Sequence, residues 1–321
     1  GRLFLYFGNM PKKKKPSILK EIREKQLPKI DFSTQKAISY SQFSMFSECP
    51  KKWSLQYKEG HKQFTSSIHT VFGTALHEVL QHYLTVMYEK SYIEADKINT
   101  SEMMEDKLIE EYLKQYKANN NKHFSTSKEL REFGDDGIEI IREFAKRKKK
   151  YFSKRGWHLV GCEVPIKVIP HSNKPNLLLQ GFLDVVMYHE PTQSFKIIDI
   201  KTSKSGWNKT MKSDENKQFQ LVLYKKYFAE LYNVPIEKIE IEFFIVKRKL
   251  YKSEDFVIRR IQTFVPPSGK VKMNKVTKSL NNFIDKAFNQ EGYIEANHQP
   301  TPHKNCHWCP FNKTHLCSAT F

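Results

Sequence analysis

Two short apolar runs with charges inside them constrain this chain most: GFLDVV at 181–186 and KIIDIKTSK at 196–204. Both read as strands, separated by the turn-forming stretch Glu190-Pro191-Thr192-Gln193. Successive side chains of a strand point to opposite faces. Asp199 and Lys201 therefore share a face and Ile200 points away, while Asp184 opposes its neighbours Leu183 and Val185. If the two strands pair, two carboxylates and an ammonium converge on one spot. Two acids so close repel each other unless a divalent cation lies between them. An ammonium beside that cation orients and acidifies an attacking water. This is the layout of a metal-dependent phosphodiesterase.

Charge agrees with that layout. The net charge is +19, an excess that favours a polyanionic partner, with nucleic acid the obvious one. Hydrophobic residues make up 39% of the chain, enough for a real core. No apolar run approaches the ~20 residues needed to span a membrane. GRLFLYFGN lacks a cleavage-site pattern, so no export signal is read and an intracellular, cytoplasmic location is expected. In that setting five cysteines, three of them clustered, read as metal ligands rather than a disulfide framework.

Along the chain, residues 1–36 form a basic, Pro-punctuated segment read as a mobile arm with a short helix near 17–26. PKKKKP at 11–16 reads as a solvated basic terminus. One domain is expected over 37–317. It begins with two short helices, Ser39 or Ser41 capping the first and Pro50 opening the second. Trp53 and Tyr57 share a face of the latter. Helices are expected over 69–90, 101–118 and 128–154, the stretch 91–154 forming a helical insert with a basic end at 146–150. The pattern then switches to period two, giving strands over 157–169, 176–189 and 194–203. A helix over 215–233, strands over 237–249 and 255–265, a helix over 270–290 and a Pro/His/Cys loop over 297–317 complete it. This order implies an α/β sandwich around a mixed sheet.

Four spaced motifs fall in order on these elements: Gly73–His77 as GxxxH, Gly181–Asp184 as GxxD, Asp199–Lys201 as DxK and Gln220–Tyr224 as QxxxY. Each is weak alone, but the set in this order resembles the PD-(D/E)XK nuclease superfamily, specifically its RecB-like branch. The resemblance covers roughly 38–317. It implies a restriction-endonuclease-like mixed sheet flanked by helices and a Mg²⁺- or Mn²⁺-dependent deoxyribonuclease, acting as an exonuclease on DNA ends or single strands. His77, Asp184, Asp199 and the Ile200 carbonyl would hold the metal, and Lys201 would position the water. Glu163 would serve a second ion or a bridging water. Gln220 and Tyr224 would contact the DNA backbone or the lysine. Cys162, next to Glu163, should face the opposite side as an ordinary buried thiol. His77 and His82 are five apart and face different ways, so HEVLQH is not a zinc-protease helix.

The C-terminal loop adds CHWCPFNKTHLC, with Cys306, Cys309 and Cys317. Three thiolates need a fourth ligand, and Cys49 in CPKKW is the candidate. The resemblance extends to the iron–sulfur members of the RecB-like branch, which have one Cys before the nuclease core and three after it. It implies a [4Fe–4S] cluster clamping the chain's start to its end. Tetrahedral zinc is the alternative, with His303, His307 or His315 in place of Cys49.

No G-x-x-x-x-G-K-[ST] loop is present, so no ATP-driven motor is expected. Composition and the missing motor point to a phage-like or other mobile-element nuclease, with recombination or replication proteins as partners. Two rivals stand beside it. One is a CRISPR-adaptation-type end-trimming nuclease, usually shorter and without the insert. The other is a non-catalytic nucleic-acid-binding module, against which the intact acid–acid–lysine set argues. Basic segments at 146–150 and 247–249 are expected to track phosphates without reading sequence.

Overall fold

The computed structural model describes residues 15–29, 31, 36–61, 64–251, 259–294 and 298–319. Most of the PKKKKP run and part of the expected strand 255–265 lie outside these residues. Among the described residues no helix is long and apolar enough to cross a membrane.

The N-terminal half is helical. Helix α1 (Ser17–Arg23) is followed by a three-residue strand β1 (Lys36–Ile38), then α2 (Tyr40–Glu48) and α3 (Pro50–Tyr57). Ser39 caps α2 by accepting from the Gln42 N–H, and Pro50 opens α3, as the sequence predicts. Four further helices follow: α4 (Ile68–Glu89), α5 (Tyr92–Asp96), α6 (Thr100–Ala118) and α7 (Ser127–Tyr151). Side-chain oxygens of Ser67, Ser91, Asn99 and Thr126 cap these four.

The sheet follows, with β2 (Trp157–Val168), β3 (Leu177–His189) and β4 (Ser194–Ser203). After it come α8 (Lys209–Ser213), α9 (Glu215–Tyr232), β5 (Ile239–Lys247), β6 (Ile261–Phe264) and α10 (Lys270–Ala287). Helix α9 ends at Asn233, whose φ of 52° is the left-handed turn that stops a helix. Strand β3 is central. One edge pairs antiparallel with β2. The other carries β1 in parallel at Leu177–Leu179 and β4 antiparallel at Val185–His189. Between those two partners, residues 180–184 leave a gap in that edge. Strand β5 lies parallel to β4, α9 making the crossover, and β6 closes the sheet antiparallel to β5.

Two cores sandwich the sheet. On one face Phe219, Val222 and Phe228 of α9, Val276 and Phe283 of α10, and Trp53 pack on Leu183, Ile197 and Phe243. On the other, Val71, Leu76 and Leu80 of α4, Leu108 of α6 and Ile140, Ile141 and Phe144 of α7 cover Val185, Ile198, Ile200 and Phe244. Each buried side chain of this size contributes about 1.5–3 kcal/mol. The expected mixed α/β sandwich is what forms.

Three expectations change. Residues 17–23 are docked: Leu19 and Ile22 are buried, and Arg23 donates to the Val160 and Leu159 carbonyls. Two apolar residues one turn apart suffice once a sheet face receives them. The stretch 91–154 is part of the framework, because α6 and α7 bury Met104, Leu108, Tyr112, Phe133, Ile140, Ile141 and Phe144 in one core. Its basic end is also partly neutralised. Lys148 pairs with Asp96 at 2.7 Å, and Arg248 and Lys249 pair with Glu132 and Asp136 on α7. Arg248 is buried and its guanidinium lies 3.9 Å from the centre of the Phe133 ring. Arg248 and Lys249 hold α7 to the end of β5, and Lys148 holds it to α5, so these three cations are engaged within the fold.

Candidate active site

The gap in the β3 edge is where the sequence-predicted residues meet. The β3–β4 ladder runs as far as Val185 opposite Ile198, and Asp184 and Asp199 are the next residues along. There the strands part. In place of a backbone pair, the Asp184 carboxylate Oδ2 accepts the Ile200 N–H at 2.7 Å. The Asp199 and Lys201 side chains share a strand face, and their charged ends are 2.8 Å apart. Asp199 is only 5% exposed, and its Oδ2 has that ion pair but no directed hydrogen bond.

Helix α9 completes this side. Lys201 Nζ donates to Gln220 Oε1 at 3.2 Å, and Gln220 Nε2 donates to the Tyr224 hydroxyl at 3.3 Å. The QxxxY spacing puts both on one helix face, with the glutamine against the lysine. The Tyr224 ring explains the glycine of GxxD: a Cβ at Gly181 would fall 2.5 Å from the Tyr224 hydroxyl oxygen. The glycine of GxxxH is also a contact point, since a Cβ at Gly73 would meet Thr202 Oγ1 at 3.3 Å.

His77 enters from α4, through the other layer. Its Nδ1 is 3.9 Å from Asp184 Oδ2, and its ring hydrogen-bonds the Ile200 backbone. The backbone of one residue thus touches both His77 and Asp184.

Electrostatics follow from this crowding. Burial, and then the negative charge of Asp199, push the Asp184 carboxyl up to about 8, against the Ile200 N–H and Lys201. Burial lowers His77 below its ordinary value, so the ring is neutral near neutral pH and keeps a lone pair. For Lys201 burial acts downward, but its close pairing with Asp199, and then the charge of Asp184, outweigh it and hold the ammonium above its usual value. Burial raises the Tyr224 hydroxyl.

Glu163 lies on the expected strand but not in its regular conformation. Its φ is +51°, a left-handed conformation that costs a residue with a side chain roughly 1–2 kcal/mol. Strict alternation would send Cys162 and Glu163 to opposite faces. The twist at Glu163 breaks the alternation, and both side chains meet Gln81 of α4. Cys162 Sγ lies 3.8 Å from the Gln81 carbonyl, and Glu163 Oε1 accepts from Gln81 Nε2 at 2.6 Å. Burial pushes the Cys162 thiol up to about 11, which keeps it protonated. Gln81 is absent from the sequence reading, although it stands one helical turn after His77 on the same face.

Cys49, Cys306, Cys309 and Cys317 line one cavity between the start of α3 and the C-terminal loop; His303 lines it too. Asn305 of that loop donates to Glu48 of α2 at 2.9 Å, joining the two segments. All four thiols are free of disulfides. Among the described residues no three His, Cys, Asp or Glu side chains are gathered closely enough to form a metal-holding group, here or in the gap.

The molecule is thus an α/β sandwich in which Asp184 of β3 and Asp199 and Lys201 of β4 meet beside a gap in the β3 edge. The family model of the PD-(D/E)XK nuclease superfamily matches residues 37–314, and the chain belongs to that superfamily. No curated protein matches. Among solved structures the chain is similar to a "Putative exonuclease" from Eubacterium rectale, at 12% identity and a TM-score of 0.48, over 88% of this chain and 90% of that one.

Proposed function

We infer that this chain is a divalent-metal-dependent deoxyribonuclease of the RecB-like branch, acting on DNA ends. The observation that carries the reading is the meeting of Asp184, Asp199 and Lys201 in the β3 edge gap, with His77 beside them. The donor set suits a hard cation. A buried Asp199 oxygen lacks a directed hydrogen bond, and two carboxyls face each other at a cost that a divalent ion would remove.

His77, Asp184, Asp199 and the Ile200 carbonyl would hold Mg²⁺ or Mn²⁺, with Glu163 at a second ion or a bridging water. When bound, such an ion polarises a phosphoryl oxygen and lowers the pKa of a water molecule. The protein groups do the rest. Asp199 fixes the Lys201 ammonium, and Gln220 holds it from the opposite side. A lysine kept charged in this way orients the attacking water and stabilises the charge that develops on the phosphate. The Tyr224 ring over Gly181 keeps Gln220 in place. Surface lysines outside the α7 ion-pair network supply sequence-independent attraction to the DNA backbone.

A structural [4Fe–4S] cluster at Cys49, Cys306, Cys309 and Cys317, with zinc as the alternative metal, is what the family resemblance implies; the four thiols share a cavity but would have to draw together to hold it. Either would tie α3 to the C-terminal loop. Protein purified without air should be brown, with iron and sulfide in near-equal amounts. A colourless protein with one zinc would replace the cluster and leave the nuclease reading intact.

The test of activity is cleavage of end-labelled single- and double-stranded DNA with Mg²⁺, Mn²⁺ or EDTA. Shortening from the ends, dependent on metal and lost in Asp199→Ala, is expected. Cleavage that persists in EDTA would refute the reading.

A further inference from the structure

We propose that Gln81 is a positioning residue for metal binding, holding Glu163 turned toward Asp184. The inference rests on the site reading above and adds to it a residue that none of the four motifs contains.

Three observations carry it. Gln81 is 8% exposed, and its single amide nitrogen donates both to Glu163 Oε1 at 2.6 Å and to the Asp184 backbone carbonyl at 3.0 Å. An amide nitrogen has two hydrogens, so its donor capacity is fully used on the two acidic residues. Glu163 sits in a left-handed backbone conformation inside a strand, which needs something outside the strand to hold it. The register of β2 on β3 skips Glu163 and Asp184, while Cys162 pairs with Val185 and Val164 with Leu183. The ladder therefore leaves these two residues to be fixed by other contacts.

Gln81 supplies such contacts from α4, one turn beyond His77. One helix thus delivers a ring to Asp184 at His77 and a clamp across Glu163 and Asp184 at Gln81. Glu163 is itself exposed, so without the amide it loses its charge-assisted hydrogen bond and is free to relax its backbone and turn away from Asp184. An acid set assembled in this way has a metal affinity that depends on a residue with no place in the ion's own coordination shell. Partners of this kind change affinity by about 10–100-fold when removed.

The experiment is a double-mutant cycle between Gln81→Leu and Glu163→Ala in the full chain. It is read by the Mn²⁺ dissociation constant from calorimetry and by the Mn²⁺ dependence of cleavage. Gln81→Leu should weaken Mn²⁺ binding about tenfold, with cleavage largely recovered at saturating Mn²⁺. In the Glu163→Ala background the same change should alter binding by less than about twofold, because Gln81 acts through Glu163. Gln81→Glu, which keeps the size and reverses the donor, provides the cycle if the leucine variant does not fold. Unchanged Mn²⁺ affinity, or effects that simply add, would overturn the inference. Lys201→Ala separates the two levels. If it is inactive while the cycle is additive, only the role of Gln81 falls. If it cleaves normally, the site reading falls and takes this inference with it.

Discussion

Asp184→Asn should make the metal-free protein more stable at alkaline pH while abolishing cleavage. Asp184 is largely buried beside Asp199, and its carboxyl is displaced from 3.8 to about 8. A folded state that holds this proton more tightly than the unfolded chain loses stability as pH rises from about 4 through about 8, and no further above that. At about 1.4 kcal/mol per pH unit, the full cost of ionising Asp184 in the empty site is on the order of 6 kcal/mol. Water entry and side-chain relaxation reduce it, and about 2–3 kcal/mol should be measurable. Asparagine removes the charge and keeps an oxygen for the Ile200 N–H. Urea denaturation in EDTA at about pH 5, 7 and 8.5 reads the effect. The variant should gain on the wild type as pH rises, and the gap should be smallest at about pH 5, closing only at about pH 4. Mg²⁺ should stabilise the wild type at the highest pH and the variant little. A variant no more stable at about pH 8.5, or a gap independent of pH, would refute the electrostatic account.

Lys201→Ala should retain the fold and DNA binding but lower the cleavage rate about 10²–10³-fold, measured in single-turnover assays; full activity would remove the lysine from the mechanism. Gly181→Ala should push Tyr224 off its site, costing about 1–3 kcal/mol. Tyr224→Phe should not rescue it, because ring carbons would still lie 2.8 Å from the new Cβ, whereas Tyr224→Leu should. Arg248→Ala leaves Asp136 partly buried with only Lys249 as partner and strips the face of Phe133, and should cost about 3 kcal/mol in urea unfolding.

The strands, the long helices and the acid–acid–lysine geometry were legible because periodicity and alternation are local. Asp199 and Lys201 do share a face, and α9 does bring Gln220 to the lysine. Strand β1 was not legible, since three residues carry no alternation and are defined by pairing with Leu177–Leu179. The short helices α5 and α8 depend on side-chain caps rather than apolar stripes. Glu163 was placed on the right strand, but its left-handed backbone and its contact with Gln81 were not legible, because neither follows from strand alternation. The helices α6 and α7 were visible, yet an amphipathic pattern says that a face is buried and not what buries it. Neutralisation of Arg248 by Asp136 joins residues far apart in sequence, and no local pattern announces it.

The layer formed by α4, α6 and α7 precedes in the chain nearly every strand residue it covers. A ribosome adding roughly 5–20 residues per second releases Val71, Leu76 and Leu80 many seconds before Ile198 and Phe244 exist to receive them. For that interval the helices can pack only on one another. Met104 lies close enough to Gly137 that a Cβ there would sit 2.7 Å from its terminal methyl, and Lys107 pairs with Glu78 at 3.0 Å, so such a helical subassembly has native contacts available. It nevertheless keeps a wide oily face open until β4 and β5 arrive. A nascent chain stalled or cut before residue 244 is therefore a sticky half-molecule, dependent on chaperones, and a trimmed version lacking α6 and α7 would fail for the mirror-image reason.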